Sequence, residues 1–479
     1  MFYRLSFAII ILPVFLFAQS QGNTWVFGNG NIIDFNGATP VTSGDGAIDL
    51  VDQEMEGTAS ISNSIGQLLF YSDGRRIWDW NHNVVLDTLR GHQSATHAAY
   101  IIPLAESDTE FMLITLDAAQ NNLENGMRYS IISACRESGV IPLQINTLLA
   151  NDMTEKIVGI AKSNGGYWLI GHVYNSNAYM VSEIGSSGVN GIMEYFTGPI
   201  HQHANPNSHN AAIGQMKASP NGMFIASAVT NSVKLIDIAS FDPSTGDLAS
   251  IITFATDSTL LGYPNGSYGL SFSSNSQFLY VSSLSDYKVW QYNLSYLPGD
   301  ISAFLESRYL INSATNQFPG VPESYQQLQL GPDGVIYLNN LGNQYLSIIP
   351  FPDLPAPQCG FQDSAIAMAY VSAYGLPSFI DSYHYTASGI CEPNGISSTS
   401  QGSFTLHPNP AATSTTLTLP VAGSYNIMVL DAMGRVVYQD LAATTSYELT
   451  TTNWPHGIYA ITATNKEGVR YTGKLVVGS

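Results

Sequence analysis

The sequence predicts an all-β protein, a β-propeller followed by a small immunoglobulin-like β-sandwich. Three observations predict it: a shortage of charge, a recurring turn-and-strand unit, and a change of texture near residue 386. Only 11% of the 479 residues are charged, whereas 45% are hydrophobic and 11% aromatic. Roughly a quarter charged is usual for a soluble domain. Helices solubilise their outer faces with Lys, Glu and Arg, and this chain has too few of them. Its polarity comes from Ser, Thr, Asn and Gln, which suit strands and turns. The formal net charge is -20 and no basic run occurs, which makes nucleic acid and anionic lipid poor candidates as ligands.

Taken in chain order, Met1–Arg4 carries one positive charge and Leu5–Phe17 is apolar apart from Ser6 and Pro13. Polar residues follow Ala18 at once, so 1–18 reads as a secretory signal peptide. No later stretch is long and apolar enough to span a bilayer, so the mature chain is expected to have no transmembrane segment.

Residues 19–385 carry the repeated unit: a tight turn, then a strand rich in aromatic and β-branched residues. Examples are Ser219-Pro220-Asn221-Gly222 before Met223–Ala226, and Gly331-Pro332-Asp333-Gly334 before Val335–Leu338. Pro presets the first turn position, Asn or Asp tolerates the second, and Gly accepts a positive φ. The turn glycine or its equivalent falls at 165, 222, 276 and 334, a period near that of propeller blades. Seven blades fit the length better than six, the alternative. Trp25–Phe27 and Ser378–Tyr383 lack neighbouring partner strands, and are expected to pair in one blade and close the ring.

Thr386–Gly402 is Ser-, Gly- and Asn-rich, a linker over 386–402. Residues 403–479 alternate as short strands, with Tyr425, Ile427 and Val429 on one face. Their charges cancel: Arg435, Lys466, Arg470 and Lys474 against Asp431, Asp440, Glu448 and Glu467. The acidic excess therefore belongs to the first domain. Of three cysteines, Cys359 and Cys391 are candidates for one disulfide, with Cys135 a buried thiol.

The tail carries His407-Pro408-Asn409-Pro410, an alternating strand into Asp431-Ala432-Met433-Gly434-Arg435, then Gly457-Ile458-Tyr459 and a terminal strand Lys474–Val477. In this it resembles the C-terminal sorting domain of type IX secretion substrates. Pro408, Asn409, Pro410, Asp431, Gly434, Gly457 and Tyr459 carry the resemblance. It implies a translocon and a sortase as partners, a lipopolysaccharide anchor after sorting, and an extracellular or outer-surface location. Residues 24–385 resemble the propeller region of secreted proteins bearing the same tail, through Trp25-Val26-Phe27-Gly28, Leu68–Gly74, Ser94–Pro103 and Gly375–Ile380. His97 stands where those proteins are expected to carry Gln. That resemblance supplies an architecture and no reaction.

Several clusters are candidate chemistry. Trp78, Trp80 and His82, among Asp79, Asn81 and Asn83, form an aromatic, amide-rich turn of the kind that stacks on sugar rings, although packing at a blade edge is the commoner role. The turn is not an EF-hand, because Val84 and Arg90 replace the required Gly and acid. Asp73-Gly74 reads as a hairpin turn. His201, His203 and His209 share one loop, joined at a distance by His92, His97 and His172; imidazoles two apart could share a metal, although no thiol or acid lies beside them. Asp45, Asp49, Asp52, Glu54 and Glu56 could hold calcium; otherwise no cofactor is expected. The candidate ligand-binding residues are thus Trp78, Trp80, His97, His172 and His201. No nucleophile elbow, zinc-protease helix, Walker loop or dinucleotide fingerprint occurs. The reading is a surface binding or adhesion module for a glycan or a surface protein. The alternative is a secreted hydrolase or lyase acting on polysaccharide or a lactone.

Overall fold

The computed structural model describes residues 20–49, 56–105, 107–162, 165–202, 205, 208–230, 235–256, 266–283, 288–313, 325–381, 402–420, 423–430, 436–442, 445–465 and 470–478. The chain divides into two compact units, 1–391 and 392–479. The signal segment 1–18, linker residues 386–401 and the Cys359–Cys391 pairing lie outside the described residues, although Cys359 itself is buried.

The first unit is all-β. Among its described residues, a three-stranded sheet (Thr24–Phe27, Asn31–Asp34, Val41–Ser43) precedes six four-stranded antiparallel meanders. These open with the strands Ala59–Ser62, Ala99–Pro103, Met153–Ala161, Met216–Ala218, Ser267–Phe272 and Tyr325–Leu330. The opening strands are buried almost throughout, and last strands such as Gly139–Ala150 and Gln362–Ala367 have no buried residue. Burial falling steadily across each sheet is what propeller geometry requires, with opening strands on the axis and closing strands at the rim.

Alternation puts apolar side chains on both faces of each sheet, and neighbours bury them in pairs. Val26 and Ile48 pack with Tyr71 and Trp78 between the first and second sheets. Ile61 and Phe70 meet Phe111 and Leu113 between the second and third. Tyr100 and Met112 meet Ile157 and Leu169 across the next interface. The pattern continues through Ile170 with Ile225, Ile236 with Leu270, and Tyr280 with Leu328. Trp25, Phe27 and Ile33 then pack with Tyr337 and Leu346, joining the last sheet to the first.

The turns follow their chemistry. Gly66, Gly222 and Gly334 take φ of 85, 72 and 79°, and each amide closes a turn on the carbonyl three residues earlier. Ser276 occupies the same place at φ 61°. Gly74 at φ 86° makes the Asp73-Gly74 hairpin turn.

The expected pairing of the two ends in one blade is corrected. Among the described residues, Thr24–Phe27 pairs with Asn31–Asp34 and with no other strand, whereas Pro377 bridges in parallel to Thr58 beside the second sheet. The ends still meet, because the Trp25 and Phe379 rings lie 5.8 Å apart. Ser382 and Tyr383 lie outside the described residues.

In the second unit, a sheet of Gly402–Ser403, Arg470–Val477, Gly457–Asn465, Tyr425–Leu430 and Val436–Ala442 shares one core with a sheet of Thr405–His407, Ser414–Thr418 and Ser446–Thr450. Leu417 and Leu449 from the smaller sheet pack with Ile427, Val429, Ile461 and Leu475 from the larger.

Candidate functional site

Polar side chains from most of the sheets converge where the opening strands meet. Glu56 accepts from the Tyr268 hydroxyl at 2.6 Å and the Thr96 hydroxyl at 3.3 Å. Glu155 accepts from the Thr96 amide and hydroxyl, both at 2.8 Å, and from the Ala119 amide at 2.7 Å. Lys156 donates to the carbonyls of Ala211, Ala212 and Ile213 at 3.0, 2.6 and 2.9 Å. Lys217 pairs with Asp381 at 3.3 Å and also donates to Gln329, which itself donates to Asp381 at 2.9 Å. Gln327 donates to the Thr96 carbonyl at 2.8 Å. All of these residues are buried.

The last stretch of the first unit threads this network. The Leu376 amide donates to Gln327 at 3.0 Å and the Ser378 amide to the Thr58 carbonyl at 2.7 Å. The Phe379 carbonyl accepts from Tyr100 at 2.7 Å. His97 bonds Ser378 Oγ through Nδ1 at 2.9 Å and accepts from the Met216 amide through Nε2 at 3.1 Å. His97 therefore ties together three distant parts of the chain.

Burial dominates the electrostatics. It pushes the Glu155 and Asp381 carboxyls above their usual range and the Lys156 and Lys217 ammonium groups below theirs; Glu155 and the Asp381 carboxylate hold those two cations up in part. Burial holds His97 well below 6.5, with the Lys217 and Lys156 charges adding to it.

Of the predicted ligand-binding residues, the structure brings His172 and His201 together. Their rings stack at 3.5 Å with an interplanar angle of 11°, both fully buried. His172 Nδ1 bonds the Val173 carbonyl, while His172 Nε2 and both His201 nitrogens have no hydrogen-bond partner. Burial and the Lys156 charge push His172 down to about 3; burial, His172 and Lys156 push His201 the same way. His203 lies outside the described residues, and His209 packs against Tyr174.

Trp78 lies in the core, stacked on Tyr71 at 5.2 Å with the Arg76 guanidinium 4.7 Å from the ring centroid, and is buried away from any ligand in solution. Trp80 is half-buried beneath Arg136, 5.3 Å away. His82 Nδ1 bonds the Tyr71 hydroxyl at 3.0 Å. Asp79 bonds the Asn81 and Asn83 amides, which makes this an Asx-type turn. In the acidic stretch, Asp49 pairs with Arg76 at 2.7 Å and Glu56 belongs to the axis, while Asp52 and Glu54 lie outside the described residues. Among the described residues, no three His, Cys, Asp or Glu side chains are placed to hold a metal, and no helix is long and apolar enough to cross a membrane.

Sequence reasoning missed Thr96, Glu155, Lys156, Lys217, Tyr268, Gln327, Gln329 and Asp381. The available signal was polar residues inside strands that otherwise read as core: Thr154-Glu155-Lys156, and Gln326-Gln327 with Gln329.

In the second unit, the Pro408-Asn409-Pro410 corner is exposed, and the Asn409 amide clamps the terminal strand. It donates to the Lys474 carbonyl and accepts from the Val476 amide, both at 2.8 Å. Tyr459 is buried, its hydroxyl on the Pro455 carbonyl at 2.7 Å, and Gly457 opens its strand. Asp431 and Gly434 lie outside the described residues.

A comparison with curated proteins finds no match to the chain. Among solved structures, a β-propeller domain of Cps50 (Swd1) from Myceliophteria thermophila is 10% identical with a TM-score of 0.41, covering 67% of this chain and 91% of that one. A putative 6-phosphogluconolactonase from Bacteroides fragilis is 10% identical with a TM-score of 0.45, covering 74% and 96%. PorZ, a surface component of the type IX secretion system of Porphyromonas gingivalis, is 10% identical with a TM-score of 0.29, covering 95% and 69%. The fold described above rests on sheet topology and packing, not on these likenesses. Residues 405–478 match the family model of the secretion system C-terminal sorting domain. The tail is thus a type IX secretion sorting domain, and the protein that carries it is secreted and attached to the outer cell surface.

Proposed function

We propose that the first unit is a seven-bladed propeller displayed at the cell surface as a binding or adhesion module, and that the tail is an immunoglobulin-like sandwich. A sortase removes the tail and links the propeller to lipopolysaccharide. The ligand is an uncharged glycan or a neighbouring surface protein, and no resident cofactor takes part. One observation carries the choice of binding over catalysis. The ionisable groups at the axis are spent on one another and on the backbone: Glu155 on Thr96 and Ala119, Lys156 on three carbonyls, Lys217 on Asp381. A general acid or base must be free to reach a substrate proton, and these groups hold the ring together instead. The net charge of -20 supports an uncharged ligand over an acidic polymer.

The test pairs a glycan array and a surface-protein pull-down, using the mature protein, with an activity screen over polysaccharides and lactones. Binding without turnover is expected. Turnover that disappears in His97→Ala, His172→Ala or His201→Ala would overturn the reading in favour of a hydrolase or lyase.

A further inference from the structure

An antiparallel meander puts two connections at the same end of its sheet: the turn after the opening strand and the one after the third strand. In the fifth, sixth and seventh sheets these are 219–223 and 242–247, 273–277 and 294–308, and 331–335 and 350–361. Four large apolar side chains stand in the open there. Met223, Tyr296, Phe351 and Leu354 are 55, 42, 59 and 46% exposed. The connection 350–361 is bound down across the sixth sheet. Its Pro352 carbonyl accepts from the Tyr280 hydroxyl at 2.8 Å and its Leu354 carbonyl from Gln291 at 2.9 Å. Asp353 accepts from the Ser274 hydroxyl and the Asn275 amide at 2.6 and 2.9 Å. The same sixth-sheet turn is joined to the fifth sheet, where the Asn221 amide donates to the Ser276 hydroxyl at 3.1 Å. Apolar side chains on connections held this way lose little freedom on binding.

The charge around them has one sign. Asp242, Asp247, Asp300 and Asp333 are exposed at this end. No Lys or Arg occurs from 309 to 434, and the described residues of 218–283 hold none. An anionic lipid or an acidic partner would be repelled, whereas Lys or Arg around an apolar contact would be attracted. The chain also leaves the first unit at this end. Leu376 bonds Gln327 and Asp381 bonds Gln329, so the stretch Leu376–Asp381 runs in the direction of the opening strand Tyr325–Leu330.

We propose that this end of the fifth to seventh sheets docks a neighbouring surface protein, through an apolar surface of that protein ringed by lysine or arginine. The proposal rests on the reading of the first unit as a surface binding module, and names the side that binds.

The test places the photo-cross-linker benzoylphenylalanine at Phe351, or at exposed Val84 on the second sheet as a control, in the full-length chain displayed on cells. Adducts are mapped by mass spectrometry. Expected is a protein adduct at 351 and none at 84, on an apolar peptide flanked by Lys or Arg. The protein so mapped, once purified, should bind the mature chain, more weakly as salt rises and at least about tenfold more weakly to the Phe351→Ser, Leu354→Ser double variant. Both substituted side chains are exposed, and an unchanged melting curve verifies that the variant is folded. No adduct at 351, an adduct to lipopolysaccharide or to a second copy, an acid-flanked peptide, or undiminished binding by the folded double variant would overturn the proposal. A glycan array or pull-down that stays positive in that case leaves the binding module standing with its ligand on another face; silence there as well removes both.

Discussion

Single turn residues show how closely local chemistry is followed. Gly222 and Gly334 have nearly the same φ, but a Cβ on Gly222 would come 3.0 Å from Ile160 Cγ2, and one on Gly334 would meet nothing within 4 Å. Gly334→Ala should therefore cost only the left-handed backbone penalty, about 1–2 kcal/mol. Gly222→Ala should cost more, because the neighbouring sheet must also yield. Denaturant midpoints of the two variants check the order, and an equal loss would show that the contact relaxes freely. Both glycines were legible in the sequence, since a Pro-Asn-Gly or Pro-Asp-Gly turn has one conformational demand. Trp78 was not: an aromatic cluster reads the same whether it faces a ligand or, as here, Tyr71 and Arg76.

Among the elements, the strap Leu376–Asp381 has a role out of proportion to its length. It bonds or packs against the first, second, third, fifth and seventh sheets through Trp25, Thr58, His97, Lys217 and Gln327. Its last described residue forms a buried ion pair, and such a pair is costly to break from one side. Asp381→Ala should destabilise by about 3–5 kcal/mol, because Lys217 stays buried without its counter-charge. Lys217→Met with Asp381→Leu should recover most of that loss. Urea unfolding of the three proteins decides it; a double variant as unstable as Asp381→Ala would mean the pair does more than neutralise itself. That this segment helps close the ring could be read from sequence, but its destination could not. Strands with free edges suggest mutual pairing, and here, among the described residues, Pro377 took Thr58 while Trp25 kept its hairpin partner.

For the whole molecule, the separation of the two units makes a prediction about export. Among the described residues, the tail's apolar cluster draws on residues 404–477. Deleting 403–479 should leave a folded propeller held in the periplasm, with an unchanged melting temperature relative to the sorted protein. Surface labelling and cell fractionation check it, and normal surface display of the truncated chain would contradict the tail's role.

The sequence by itself determined what depends on near neighbours along the chain. Strand alternation, the turn residues at 165, 222, 276 and 334, and the Pro408-Asn409-Pro410 corner of the sorting motif each involve residues within a few positions of one another. Only the tertiary structure decided the axis, because its members are far apart in sequence. Glu56 meets Tyr268 across 212 residues, and His97 meets Ser378 across 281. Burial, which turns an ordinary Lys or His into a desolvated one, depends on what the other sheets place around it. A local pattern specifies a strand and its faces; closing the ring puts polar side chains into a common dry centre, and there they must find one another.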